Sequence, residues 1–181
     1  AQIGQWAMQG KKSLADGQGL TAFPIMDEYL VALFQAFDPK TAKRELNVVW
    51  DAGNGAAGRM MDALCKTLPG EHTALYAEID GTFPNHHPDP TVEENMKDLR
   101  ETVALKGAEL GIAFDGDGDR IGVIDAKGRM ILGDQLLKLY ASEMLQTHKG
   151  ALVIADVKAS QTLFDHVAEC GGEPLMWQTG H

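Results

Sequence analysis

Leu110-Gly111-Ile112-Ala113-Phe114-Asp115-Gly116-Asp117-Gly118-Asp119-Arg120-Ile121-Gly122-Val123-Ile124-Asp125 sets the reading of the whole chain. Two apolar runs, Leu110 to Phe114 and Ile121 to Ile124, are too short for helices and read as strands. Between them, three carboxylates alternate with two glycines and an arginine follows at once. Carboxylates this close repel one another unless a positive charge sits among them. A hard divalent cation meets that need, because Mg²⁺ and Ca²⁺ take oxygen ligands. The plain alternative is a solvated acidic turn, but flanking strands would hold the carboxylates together. An EF-hand calcium loop would place Asp115, Asp117 and Asp119 at its first, third and fifth positions. It would also need glycine at the sixth and glutamate at the twelfth, where this chain has Arg120 and Ala126.

Working outward, strand-like runs alternate with helical ones. Towards the N-terminus, Leu46 to Asp51 is a buried strand, then Ala52-Gly53-Asn54-Gly55-Ala56-Ala57-Gly58 leads into a helix to about Leu68. The next strand is expected over Ala74 to Ile79. Gly53, Gly55 and Gly58 fit G-x-G-x-x-G, with Glu78 twenty residues after Gly58. That is the fingerprint of an NAD(P)-binding oxidoreductase domain, and equally a tight turn of small residues. Thr82 to Pro90 is a proline loop in which His86-His87 are expected to face solvent or an interdomain edge rather than a metal. Thr91 and Glu94 suggest a capping box for a helix carrying Val92, Met96, Leu99, Val103 and Leu105.

Beyond the acidic loop, Asp125 to Arg129 reads as a hairpin turn and Met130 to Leu132 as its return. Gly133-Asp134 opens a helix using Leu136, Leu137, Tyr140 and Leu145. A strand over Ala151 to Ala155, a helix from Gln161 to about Cys170 and a strand over Pro174 to Trp177 follow. Pro24 opens an amphipathic helix with Ile25, Tyr29, Ala32, Leu33 and Phe37 on one face, stopped by Asp38-Pro39. Residues 1–22, with four glycines, read as the tail of a preceding domain and a linker. Alternating strands and helices imply an α/β fold with a parallel or mixed sheet, whose ligands gather at strand carboxyl ends. Lys158 and His181 both follow such ends.

Bulk properties set limits. With 181 residues and 44% hydrophobic content, the chain suits one large or two small globular domains. A net charge of −10 argues against nucleic acid, whose phosphates it would repel. The two cysteines, Cys65 and Cys170, are no disulfide framework and suit a reducing, cytoplasmic setting. No apolar run approaches the ~20 residues needed to cross a bilayer, and residues 1–22 do not read as a signal peptide. The chain opens without methionine and stops at Trp177-Gln-Thr-Gly-His181, as expected of a piece of a longer protein.

Taken together, the DGDGDR hexapeptide between two strands resembles the metal loop of the α-D-phosphohexomutases, the phosphoglucomutase and phosphomannomutase superfamily. Those enzymes also carry a D-x-G-N-G-x-x-G turn in their second domain, as scaffold, and a comparable proline loop. Asp156-Val-Lys158 followed by Trp177-Gln-Thr-Gly-His181 resembles the opening of the third domain in the phosphomannomutase/phosphoglucomutase branch. Phosphoglucosamine mutases share DGDGDR but not this lysine and T-G-H pair.

The resemblance implies a mixed sheet with flanking helices over residues 23–130 as the second domain, and the first βαβ unit of a similar third domain over 131–181. It implies Mg²⁺ on Asp115, Asp117 and Asp119, a catalytic and substrate contact from Arg120, and substrate contacts from Lys158 and His181. The substrate would be a mannose or glucose 1- or 6-phosphate, interconverted through a phosphoserine and a bisphosphorylated sugar. The family's serine sits in a T-A-S-H-N-P motif, and Ser13, Ser142 and Ser160 have no such context. The E-x-S-G-H loop and the fourth domain are likewise absent from this sequence. The chain alone is therefore expected to be inactive, with the missing domains as its partners.

Overall fold

The computed structural model describes residues 5, 8–10, 23–37 and 44–180. Most of the expected tail over 1–22, the stop at Asp38-Pro39, and His181 lie outside the described residues. The chain divides into two compact units, residues 1–38 and 39–181. The first contains helix α1 (Ile25–Ala36), where Pro24 at the N-cap has its φ already set near the helical value. Asp27 and Glu28 sit in the first turn, where negative charge suits the helix dipole.

In the second unit, five strands form a mixed sheet: β1 (Leu46–Asp51), β2 (Gly70–Leu75), β3 (Leu110–Phe114), β4 (Ile121–Asp125) and β5 (Met130–Ile131). Their spatial order is β2-β1-β3-β4-β5. β1 pairs in parallel with β2 and β3, and β3–β4–β5 continue antiparallel. Helix α2 (Gly58–Thr67) packs along β2, and helix α3 (Lys97–Lys106) packs on β1 and β3. The core follows from strand alternation: Val49, Ala113 and Ile124 point to one face and meet Met96, Leu99 and Val103. Gly107, left-handed at φ 60, ends α3 where its N–H caps Val103 and Ala104 carbonyls.

The rest of the unit repeats the strand–helix pattern. Helix α4 (Gly133–Thr147), strand β6 (Leu152–Asp156), helix α5 (Gln161–Glu169) and strand β7 (Glu173–Trp177) follow in turn. β6 and β7 pair in parallel as a separate two-stranded sheet. Ala141, Leu145, Val153, Leu163 and Val167 form a second core. Both cysteines are free thiols, and no described helix is long and apolar enough to cross a membrane.

Two expectations need correction. The second strand is not Ala74 to Ile79 but Gly70–Leu75, because the six residues of β1 pair in register from Leu46↔Gly70 to Asp51↔Leu75. At Tyr76 the backbone turns left-handed (φ 52) and the chain leaves the sheet, so Glu78 lies in a loop. Nor do Thr91 and Glu94 form a capping box. The Thr91 hydroxyl donates to Asp89 Oδ1 at 2.7 Å, and a 3-10 turn over Glu93–Met96 precedes α3.

Candidate functional site

The acidic loop hangs between two paired strand ends, Phe114 and Ile121. Asp115 N–H donates to Arg120 O (3.2 Å), Gly118 N–H donates to Asp115 O (3.1 Å), and Gly118 takes φ 78. Asp115 is 1% exposed, and both its oxygens accept from Arg120, from the backbone N–H at 3.0 Å and from Nε at 2.7 Å. Burial pushes the Asp115 carboxyl up, but the Arg120 bonds and charge outweigh it and hold it below the usual carboxylate range. Asp119 is exposed, and the negative charges of Asp117 and Asp115 push its carboxyl up. Arg120 Nε also lies 3.5 Å from Asp119 Oδ1. One oxygen from each of Asp115, Asp117 and Asp119 falls within 4.8 Å of the others. The structure thus brings the three aspartates and Arg120 together. The donor set, all carboxylate oxygen with one arginine beside it, fits a hard divalent cation.

The loop leans on the glycine turn that follows β1. Ala56 N–H donates to Gly116 O at 2.9 Å. A side chain at Gly55 would come within 2.7 Å of that same carbonyl oxygen, and one at Gly58 would collide with the carbonyl of Ala77. These two glycines serve close packing, against the acidic loop at Gly55 and against the chain beyond β2 at Gly58. The carboxylate of Glu78 takes no part, since it is the backbone oxygen of Glu78 that accepts from Asn54 Nδ2 at 2.9 Å. The dinucleotide reading of the turn finds no support in this geometry.

The proline loop closes the third side. Pro88 and Phe83 border Gly116, and Pro88 and His86 border Gly53. Of the two loop histidines expected to face solvent or an interdomain edge, His87 is exposed, whereas His86 turns inward: its Nε2 lies 3.0 Å from Asp51 Oδ2. Its Nδ1 lies 3.0 Å from His87 O. The Asp51 side chain is wholly buried, and its Oδ1 accepts from Gly53 N–H at 2.8 Å. The bond to Asp51 raises the His86 pKa, against the effect of burial. The sequence reading does not join these two residues. Asp51 reads as a strand end and His86 as one of two loop histidines, and no spacing rule joins positions 35 apart. The one available signal was an acid at the carboxyl end of a parallel strand.

Lys158 sits elsewhere, at the end of β6. Its Nζ is 3.9 Å from Asp156 Oδ2 and its side chain is 73% exposed. Asp156 accepts from Lys158 N–H (2.8 Å) and from the Thr179 hydroxyl (3.0 Å). A cavity of about 380 Å³ opens here, lined by Gly133, Asp134, Asp156, Lys158 and neighbours, with no residue of the acidic loop. The two described serines are otherwise engaged. Ser142 Oγ donates to Lys138 O (2.7 Å) and lies 2.6 Å from His166 Nε2, while Ser160 Oγ caps α5.

Residues 27–128 match the family model for phosphoglucomutase/phosphomannomutase, alpha/beta/alpha domain II. The chain is 46% identical over 162 residues to a phosphomannomutase/phosphoglucomutase of Pseudomonas syringae pv. tomato, covering 90% of this chain and 34% of that protein. It is 47% identical over 139 residues to a phosphoglucomutase of Neisseria gonorrhoeae, covering 77% of this chain and 30% of that protein. A solved phosphoglucomutase/phosphomannomutase family protein of Burkholderia thailandensis superposes with a TM-score of 0.87 at 40% identity, covering 99% of this chain and 38% of that one. The chain spans about a third of the length of the curated relatives it matches.

Proposed function

Because the chain belongs to the phosphoglucomutase/phosphomannomutase family, we propose that it is part of an enzyme interconverting the 1- and 6-phosphates of mannose or glucose. In this reading residues 23–130 are the second domain and 131–181 the start of the third, and the setting is cytoplasmic. The phosphoryl carrier is a serine of the missing first domain. Ser142 and Ser160 are engaged in helix contacts, and Ser13 lies outside the described residues.

The observation that carries the proposal is the ion pair between buried Asp115 and exposed Arg120, within an all-carboxylate cluster at the carboxyl end of β3. Asp115, Asp117 and Asp119 would hold Mg²⁺, which supplies positive charge where phosphoryl oxygens gather. Asp115 orients Arg120, gripping Nε and the backbone N–H. Arg120 donates to Asp115 through Nε, and among the described residues no hydrogen bond takes its Nη groups, which would donate to a phosphate. Phosphoryl transfer depends mostly on such positioning and charge neutralisation. Lys158, exposed beside its cavity, and His181 would hold the sugar phosphate.

Two measurements test this. Calorimetry should detect weak Mg²⁺ or Mn²⁺ binding to the chain, weakened further by Asp117→Asn; equal binding by both would remove the metal assignment. In the full-length enzyme, assayed on glucose or mannose 1-phosphate with catalytic glucose 1,6-bisphosphate, Arg120→Ala should mainly lower kcat. The 181-residue chain alone should show no turnover.

A further inference from the structure

We propose that His86, carrying both ring protons and paired with the buried Asp51, is a positioning residue that locks three loops together and holds the acidic loop in its cation-binding shape. The consequence for the cation rests on the function proposed above; the coupling of the loops does not.

The protonation state follows from the partners. Nδ1 faces a backbone oxygen, His87 O, and Nε2 faces a carboxylate oxygen, Asp51 Oδ2, each at 3.0 Å. Both are acceptors, so a ring with a single proton would aim a lone pair at one of them. The shared proton belongs to the imidazole, ordinarily more basic than a carboxyl by about 2–3 pH units. Around the ring stand Asp51, the backbone oxygen of His87, and the Tyr76 ring edge-on at 5.5 Å, whose hydroxyl donates to Asp98 at 2.7 Å.

The pair closes a circuit. Asp51 begins the glycine turn, and His86 and Pro88 press on Gly53 within it. Pro88 also borders Gly116 of the acidic loop, and Gly116 O returns the contact by accepting from Ala56 N–H. Asn54 adds a tie, its Oδ1 accepting from Asn85 Nδ2 at 2.7 Å. Among the described residues, the Asp51–His86 contact is the one ion pair between the glycine turn and the proline loop. The non-glycine residues with left-handed backbone among those described are Asn54, Tyr76 and Phe83, all in or beside this circuit. Such conformations persist where surroundings over-determine them, and they gather at functional sites. A buried ion pair at the hub of strained loops, outside both apolar cores, fits positioning better than bulk stability.

The test compares wild type, His86→Gln, Asp51→Asn and the double variant of the 181-residue chain. The control is Arg100→Gln, which loses an Nε bond to Gly128 O on the far hairpin. Amide exchange at Ala56 reads the loop contact directly, and Mn²⁺ titration reads its consequence. Each single variant should speed Ala56 exchange and weaken Mn²⁺ binding about tenfold, as expected when support of a metal ligand is lost. The double variant should recover part of both, because neutral amides can share one hydrogen bond. The control should lower the melting temperature and leave both readings unchanged. Unchanged Ala56 exchange in both single variants, or a wild-type His86 ring with one proton at pH 7 by ¹⁵N NMR, overturns the proposal. Altered exchange in a chain whose wild type binds no Mn²⁺ supports the positioning and removes the metal assignment instead. If the single variants do not fold, the wild type decides. Ala56 protection must fall over the pH range in which His86 loses its second proton, and protection indifferent to that range overturns the proposal.

Discussion

Two parallel strands in this chain end in the same way and finish differently. β1 ends at Asp51 and β6 at Asp156, and each carboxylate accepts from the backbone N–H two residues on, at Gly53 and Lys158. This is the ordinary Asx turn of an aspartate leaving a strand. At Asp51 a loop from 35 residues away brings His86 onto the second oxygen, and the carboxylate is wholly buried. At Asp156 the second oxygen meets Thr179 at 3.0 Å and an exposed Lys158 at 3.9 Å, and the side chain stays 36% exposed. One local device thus serves a closed, load-sharing junction in the first sheet and an open, solvated rim in the second.

The sharpest way to break the comparison is to remove both aspartates in turn. Asp51→Ala leaves a buried imidazolium without its partner and should cost about 3–5 kcal/mol of unfolding free energy. Asp156→Ala removes exposed contacts and should cost under about 1 kcal/mol. Urea unfolding of the two variants checks this, and similar losses would mean that burial does not separate the two junctions.

Glycines give the next largest contrast. A methyl group at Gly58 meets the Ala77 carbonyl, whereas one at Gly133, at the start of α4, meets nothing within 4 Å. Gly58→Ala should destabilise by about 1–3 kcal/mol through overpacking. Gly133→Ala should be neutral or stabilise by about 0.4–1 kcal/mol, because it restricts the unfolded chain. Thermal melts of both would show whether the first region is as tightly fitted as its contacts imply.

This contrast also marks where sequence reasoning stops. Periodicity is a local property, so Leu46–Asp51, Leu110–Phe114 and the acidic loop were legible as strands and turn. The start of β2 was not, because pairing with β1 and the backbone reversal at Tyr76 decide it. The acidic cluster was legible since its carboxylates are neighbours in sequence. The Asp51–His86 junction was not, as only the fold brings those positions together. The glycines spelled a dinucleotide motif in sequence, and in three dimensions their free faces are filled by Pro88, Gly116 and Ala77.

The junctions should also respond differently to pH. His86 has its pKa raised in the folded chain by the Asp51 bond, with burial opposing. Its contribution is therefore complete below the unfolded value of about 6.5 and disappears as pH rises through the higher folded value. Urea midpoints should fall with rising pH in wild type and stay flatter in His86→Gln. Tyr76, pushed up to about 12 by its bond to Asp98, remains neutral over pH 6–9 and adds no slope there. A wild-type profile parallel to that of His86→Gln would sever the link between this junction and the charge of His86.

The smallest expected effect is at Lys158. Its ammonium is exposed and lies 3.9 Å from Asp156, a geometry at the edge of an ion pair, and water screens it. Exposed pairs of this kind contribute about 0–1 kcal/mol, and its backbone N–H bond to Asp156 survives any side chain except proline. Lys158→Ala should therefore leave the urea midpoint of the chain unchanged within error. A residue with no share in holding the fold is free to serve a ligand, and its side chain lines the cavity at the end of β6. If the full-length protein has the activity proposed above, the same substitution there should raise KM for the hexose phosphate more than it lowers kcat, as expected of a group that binds rather than reacts. A marked loss of stability would place Lys158 among the structural residues of the second sheet and make the two strand ends alike after all.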